Sequence, residues 1–327
     1  MKGKIRKVLL IRLSSLGDLV IMSSLIEFLF HKGVRIHIAL YERFSDLFEG
    51  DPRVEKLIKI KRDFNGKWRG LEDVRKVKYD LVVDLHRKLY PSVIALASRT
   101  KYRAYVRKNS IVRRFAVLYK RGIKEDPIYV RYVKAVSKYF EIDRIPYPKL
   151  VSFKEPEFSL PYNYTVIVPG ASKHTKRWPI DYYIDLGKRI NTSYNLPVVV
   201  VGNERLADSY PEGFINLARS TTLRELLYIL KNAHFVVSND TGPAHMAAAV
   251  GTPLFVIFGP TIPEFGFRPA GEGFIRTLEK DLPCRPCTLH GGDKCPLGHF
   301  RCMLEIKPEE VFNEIGKFYS REINQNF

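Results

Sequence analysis

Val8-Leu9-Leu10-Ile11-Arg12-Leu13-Ser14-Ser15-Leu16-Gly17-Asp18 decides how the rest of the chain is read. Its first four residues are an uninterrupted apolar run, as expected of a strand buried on both faces. Residues 14–17 read as a turn and 19–30 as a helix packed on the sheet. Working outward, residues 36–40, 57–60, 81–83 and 102–106 read as strands. Residues 91–98 and 127–140 read as helices, and 110–119 as a basic amphipathic helix. A second series has strands at 164–168, 198–201, 235–238 and 254–258, with helices at 180–190, 223–231 and 243–250. Residues 308–320 close the chain as a helix. Short β-branched runs alternating with amphipathic helices specify parallel α/β layers.

At 327 residues the chain is long for one compact domain, so two are expected. Pro146, Pro148, Pro156 and Pro161 crowd the stretch 141–163, where hydrophobic periodicity fades. The expected division is therefore 1–150 and 151–327, with the closing helix free to pack back on the first domain. Two such halves imply a ligand cleft.

Formal net charge is +19, and its distribution is uneven. Residues 1–150 hold 35 Lys and Arg against 16 Asp and Glu, whereas residues 151–327 hold 19 of each. Within the first half, residues 85–124 carry 12 basic side chains and no acidic one, interleaved with tyrosine and aliphatic residues. Such a segment suits a polyanionic partner or an anionic membrane, where each Lys or Arg near the surface contributes about 1 kcal/mol. A plain solvated face is the alternative. Arg113, Arg114 and Arg121 belong to this segment. No nucleic-acid-binding motif accompanies it, so nucleic acid is not an expected partner. The basic N-terminus lacks the uninterrupted apolar run and cleavage site of a secretory signal, and a cytoplasmic location is expected.

Three strand-to-helix loops carry the polar residues that chemistry needs. Residues 12–18 follow the first strand, at the carboxyl end of the sheet where open α/β folds bind ligands. Neither G-x-G-x-x-G nor G-K-[ST] occurs there. Asp18 is read either as an ordinary helix N-cap or as a general base for an acceptor hydroxyl. Residues 169–179, Pro-Gly-Ala-Ser-Lys-His-Thr-Lys-Arg-Trp-Pro, bring small residues and cations together as a phosphate cradle, with a flexible basic loop as the alternative. Residues 238–245, Ser-Asn-Asp-Thr-Gly-Pro-Ala-His, place Thr241 and Gly242 where a helix N-terminus can take a diphosphate. His245 either donates to that phosphate or is a buried structural histidine, and Glu204 can take a ribose diol.

Cys284, Cys287, Cys295 and Cys302 lie within 19 residues. Structural zinc, reduced packing cysteines and disulfides all remain open, and none of them gives the cysteines a catalytic role.

Taken in order and spacing, these residues resemble the ADP-heptose:lipopolysaccharide heptosyltransferases, glycosyltransferase family 9. The resemblance rests on Ser14 to Asp18, Tyr79-Asp80-Leu81-Val82-Val83-Asp84, Lys176-Arg177-Trp178-Pro179, Ser238 to His245, and Phe258-Gly259-Pro260-Thr261. The cysteine segment is similar to the branch that adds the second core heptose. What the resemblance implies is a GT-B fold, two Rossmann-like domains with parallel sheets facing across a cleft, acceptor on the first and nucleotide sugar on the second. It further implies Asp18 as catalytic base and Lys176 on donor phosphate. Glu204 would meet the ribose, and Asp240, Thr241, Gly242 and His245 would line the donor site. Ser15, Arg113, Arg114 and Arg121 are the expected acceptor contacts. The implied reaction is an inverting transfer of heptose from ADP-heptose to the inner lipopolysaccharide core, with no catalytic metal, on the inner face of the cytoplasmic membrane. Another GT-B sugar-nucleotide transferase, or a 2-epimerase, is the near alternative.

Overall fold

The computed structural model describes residues 5–63, 68–107, 109–120, 123 and 125–325, with side chains to residue 320. The chain divides into two units, Met1–Asn109 with Asp126–Phe153 and Ser110–Glu125 with Lys154–Phe327, called units 1 and 2 below.

Unit 1 contains β1 (Lys7–Ile11), α1 (Leu16–His31), β2 (Arg35–Tyr41), β3 (Lys56–Arg62), β4 (Trp68–Arg69), α2 (Leu71–Arg75), β5 (Leu81–Asp84), α3 (Leu89–Ala97) and β6 (Tyr102–Tyr105). α4 (Ser110–Tyr119) follows in sequence, and α5 (Ile128–Lys134) returns to unit 1. The sheet order is β4-β3-β2-β1-β5-β6, parallel except for the antiparallel β3-β4 pair. Val8, Leu9, Leu10 and Ile11 are buried, as a central parallel strand requires. α1 is apolar around most of its circumference because it is covered on more than one side, with α5 packed on it.

Unit 2 repeats the plan. Its elements are β7 (Thr165–Val168), α6 (Ile180–Tyr194), β8 (Val198–Val200), β9 (Phe214–Asn216), α7 (Leu223–Lys231), β10 (Val236–Asn239), α8 (Gly242–Ala249), β11 (Leu254–Ile257), β12 (Ile275–Leu278), α9 (Arg301–Leu304) and α10 (Pro308–Gln325). The six strands run β12-β11-β10-β7-β8-β9, all parallel. Its core gathers Trp178, Tyr183, Phe235 and Phe255 with Val311, Ile315 and Phe318 of α10. α10 belongs to unit 2, packed on α6.

In both sheets the chain fills one side of a central strand and then crosses to the other. The order reverses between β1 and β5 in unit 1 and between β7 and β10 in unit 2. Loops leaving the carboxyl ends of these strands diverge to opposite sides and open a crevice.

Three features depart from the sequence reading. The proline-rich stretch is not a free linker along its first part. Ser24 Oγ donates to Pro146 O (2.6 Å), Lys149 N–H to Ser23 Oγ (2.9 Å) and Arg53 Nη2 to Lys149 O (3.0 Å), while Lys154 N–H is bound to Arg224 O (3.3 Å) in unit 2. α5 ends at Lys134 rather than continuing to residue 140, and the chain goes on in tight i to i+3 turns from Val136 N–H to Val133 O and Tyr139 N–H to Val136 O. The β-branched residues there favour extended helix weakly. Finally α4, in the first half by sequence, packs on unit 2. Ala116 meets Ile262 and Phe265, Arg113 lies over the Phe267 ring (5.1 Å to its centroid), and Lys120 Nζ donates to Pro286 O (3.1 Å).

Candidate active site

In unit 1, β1 ends at Ile11 and the loop through Ser15 delivers Asp18 into the first turn of α1. One carboxylate oxygen, Oδ2, is ion-paired with Arg12 and accepts from Ser15 Oγ (2.8 Å) and Ser15 N–H (3.3 Å). The other, Oδ1, accepts from Tyr132 O–H of α5 (3.2 Å). Arg12 Nη1 also donates to Leu85 O (2.6 Å), tying the end of β1 to the end of β5 across the switch point. A second tie runs from Leu13 N–H to His86 Nδ1 (3.2 Å), with His86 held by the Asp84 carboxylate accepting the His86 and Arg87 N–H groups (2.9 and 2.8 Å). Asp18 thus stands where a Rossmann-like sheet presents its ligand groups.

The electrostatics of this cluster favour the ionised carboxylate. Burial pushes the Asp18 carboxyl up, but the Arg12 guanidinium and the Ser15 hydrogen bonds outweigh it, and the net shift is downward. Arg12 is likewise opposed by burial and held charged by its neighbours Tyr132, Asp18 and Asp84. Burial first, and then the Asp18 charge, push the Tyr132 phenol well up, so Tyr132 is a neutral donor throughout the working range. Asp18 is therefore an anion with fixed orientation, suited to receive a proton late in a displacement rather than to abstract one beforehand.

In unit 2 the loop after β7 and the turn after β10 meet. Asn239 Oδ1 accepts from Trp178 N–H (3.0 Å), and its Nδ2 donates to Pro169 O (2.8 Å), so one buried side chain fastens the two loops together. Lys176 Nζ reaches the Asp240 carboxylate (2.5 Å), which also accepts from Thr261 Oγ1 (3.1 Å). Arg177 Nη2 pairs with Glu204 (2.7 Å), and Lys173 Nζ with Asp293 (3.2 Å). Each cation of the expected phosphate cradle is thus matched to a carboxylate. An incoming diphosphate would exchange with those acids rather than enter a bare positive pocket. Thr241 is the N-cap of α8, Gly242 its first residue, and His245 is buried within it. The loop from Gly291 to Asp293 braces Lys176 from outside. Thr175 N–H and Oγ1 both donate to Gly292 O (3.0 and 2.9 Å), and a Cβ on Gly291 would stand 2.8 Å from Lys176 Cγ.

The expected residues therefore fall into two groups. Asp18 and Ser15 are together on unit 1, and Lys176, Glu204, Asp240, Thr241, Gly242 and His245 lie on unit 2. Arg113 is turned inward, paired with Glu125 through Nε (2.6 Å), which takes it out of the free cations, whereas Arg114 is exposed. Both belong to unit 2. Arg121 lies outside the described residues. Cys284, Cys287, Cys295 and Cys302 are free thiols, with Cys287 Sγ donating to Cys284 O (3.0 Å). Among the described residues no three His, Cys, Asp or Glu side chains form a group that could hold a metal ion.

Arg12, Asn239 and Thr261 lie inside motifs the sequence singled out, yet nothing there gave them partners. Tyr132 had no local signal, because it reaches Asp18 across 114 residues of chain.

Residues 68–292 match Glycosyltransferase family 9 (heptosyltransferase). Lipopolysaccharide heptosyltransferase 1 of Campylobacter coli is 26% identical over 297 residues, spanning 78% of this chain and 84% of that protein. Lipopolysaccharide heptosyltransferase 2 of Salmonella typhimurium is 30% identical over 165 residues, 47% of this chain and 46% of that protein. The solved structure of E. coli ADP-heptose lps heptosyltransferase II is similar in fold at a TM-score of 0.74 and 20% identity, covering 97% of this chain and 99% of that one. The fold is thus of the GT-B type.

Proposed function

Because the chain belongs to glycosyltransferase family 9, a family of heptosyltransferases, we propose that it transfers heptose from ADP-heptose to a hydroxyl of the lipopolysaccharide inner core. The acceptor oxygen attacks the anomeric carbon as the bond from that carbon to the β-phosphate oxygen breaks. ADP leaves with the electron pair on the opposite face, giving inversion, and the hydroxyl proton passes to Asp18.

The observation that carries this reading is the Asp18 cluster. A carboxylate held on both oxygens, at the switch point of a Rossmann-like sheet, supports the reading of Asp18 as the proton acceptor. Tyr132 and Arg12 act as positioning residues. On unit 2, Lys176 and the N–H groups at the start of α8 stabilise the charge that grows on the departing diphosphate, with Thr241 and Gly242 alongside. Asp240 orients Lys176 until the donor arrives, and Glu204 meets the ribose. The acceptor is lipid-borne and anionic, and the excess of cations in the first half supports work at the inner face of the cytoplasmic membrane. Among the described residues no helix is long and apolar enough to cross a membrane.

The test is a panel of nucleotide sugars offered with purified lipid acceptor and read by mass spectrometry. A mass gain of one heptose from ADP-heptose is expected. Transfer of another sugar in preference, or epimerisation of the donor with no acceptor gain, would displace the reading.

A further inference from the structure

The helix α4 is built the wrong way round for a helix that docks on a protein core. In an amphipathic surface helix the apolar stripe is buried and the charged face meets water. Here Ile111, Val112, Phe115, Leu118 and Tyr119 are all exposed, Ile111 at 68% and Leu118 at 69%. At 100° per residue these five fall on one arc of about 120°. Arg114 flanks that arc. The opposite, inward side carries Arg113, paired with Glu125 and lying over the Phe267 ring, together with Ala116 and Lys120. Ala116 is the buried residue of the helix. The inward charge is thus satisfied within unit 2, and five large apolar side chains are left facing out.

We infer that α4 is the membrane-seating element of this enzyme, lying in the plane of an anionic bilayer with Phe115 and Leu118 sunk among the acyl chains. This deepens the proposed function, since it rests on the reading of a lipid-borne acceptor. Charge selects the occupant. The 15 residues from 110 to 124, which belong to unit 2 with α4, carry five cations and no acid, so this stretch of sequence repels a basic partner and attracts anionic headgroups. Arg114 at the rim of the arc has the length to keep its guanidinium at headgroup level while its stem lies along the apolar surface. Tyr119, stacked with Phe115 at 6.0 Å, has the amphipathic ring favoured at a membrane interface. Ten residues in such a helix suit an interfacial position, not a span.

The experiment is flotation of the full chain with vesicles of phosphatidylcholine alone or mixed with phosphatidylglycerol. The unmodified chain should float with the anionic vesicles and lose that binding as salt rises. Phe115→Glu with Leu118→Glu should lower partitioning about 100-fold or more, since each large side chain removed from the bilayer is worth roughly tenfold. Leu297→Glu, at an exposed apolar position on unit 2 outside α4, should float like the unmodified chain. Leu118→Trp should show a blue-shifted emission quenched by brominated lipid. Turnover on a deacylated, water-soluble acceptor should survive the α4 double variant, which shows that the variant is folded and tests the transferase reading separately. The inference is overturned if the unmodified chain does not bind anionic vesicles or if the double variant floats equally well. It is also overturned if the unmodified chain is a dimer that the double variant splits, or if the double variant loses turnover on the soluble acceptor.

Discussion

Replacing Arg12 with Gln isolates what one guanidinium does for the Asp18 cluster. The side chains of the pair are 12% and 15% exposed, and Arg12 also fastens β1 to β5 through Leu85 O. Removing one partner of a buried ion pair costs about 3–5 kcal/mol. Ser15 and Tyr132 still donate to the carboxylate, so the lower end, about 3 kcal/mol, is expected, or roughly 6–12 °C in the melting temperature of a unit this size. The pH dependence fixes the direction of the electrostatic effect. Asp18 is held below its ordinary value, so its ionisation stabilises the fold above the unfolded carboxyl value of about 3.9 and that contribution is lost as pH falls through the folded value. Without Arg12, burial is opposed only by hydrogen bonds and the carboxyl moves up. The stability gap between the two proteins should therefore be full at neutral pH and narrow in acid, and the acid limb of kcat/KM should move to higher pH. Tyr132→Phe, which removes one hydrogen bond at 3.2 Å, should move both readings the same way by less, about 1.5 kcal/mol in stability. Thermal melts and pH–rate profiles of the three proteins are the assay. An unchanged acid limb and an unchanged melt in Arg12→Gln would refute the reasoning.

Lys176→Ala should weaken donor use by about 2 kcal/mol or more, because the diphosphate loses its cation and meets an Asp240 carboxylate that keeps the Thr261 hydroxyl but has lost its charged partner. Steady-state kinetics with ADP-heptose would show this chiefly in kcat/KM for the donor, and a value within twofold of the unmodified enzyme would remove Lys176 from the site. Burial, with smaller help from neighbouring thiols, pushes the Cys302 thiol up to about 11, so about one in a thousand is ionised at pH 8. Iodoacetamide at that pH should leave Cys302 unmodified in the native protein and label it once guanidinium is added, as read by peptide mass spectrometry. Equal labelling in both states would contradict the burial.

What was legible in the sequence was whatever depends on neighbours along the chain. Central strands such as β1, β7 and β10 are buried on both faces, and their apolar runs Val8–Ile11, Val166–Val168 and Phe235–Val237 stand out in the sequence. β9 and β12 lie at sheet edges, and Ile-Arg-Thr-Leu in β12 mixes polar and apolar residues as a half-covered strand does, so neither produced a signal. The loops bearing Asp18, Lys176 and Asp240 were legible because a strand-to-helix junction with small and polar residues is a local pattern. Their partners were not. Tyr132 reaches Asp18, Lys176 reaches Asp240 and Asn239 reaches Pro169 only once the sheets are assembled. The 3.6-residue period of α4 was clear, but periodicity does not say which face turns inward or which unit the helix joins. That outcome depends on Glu125 supplying an anion for Arg113 and on Phe267 supplying a ring beneath it.

The central claim is that Asp18 receives the acceptor proton, and Asp18→Asn tests it with the smallest change in shape. Single-turnover transfer at saturating ADP-heptose should fall by about 10²- to 10⁴-fold while ADP binding is kept. A rate within a few fold of the unmodified enzyme would mean that the carboxylate serves only to cap α1.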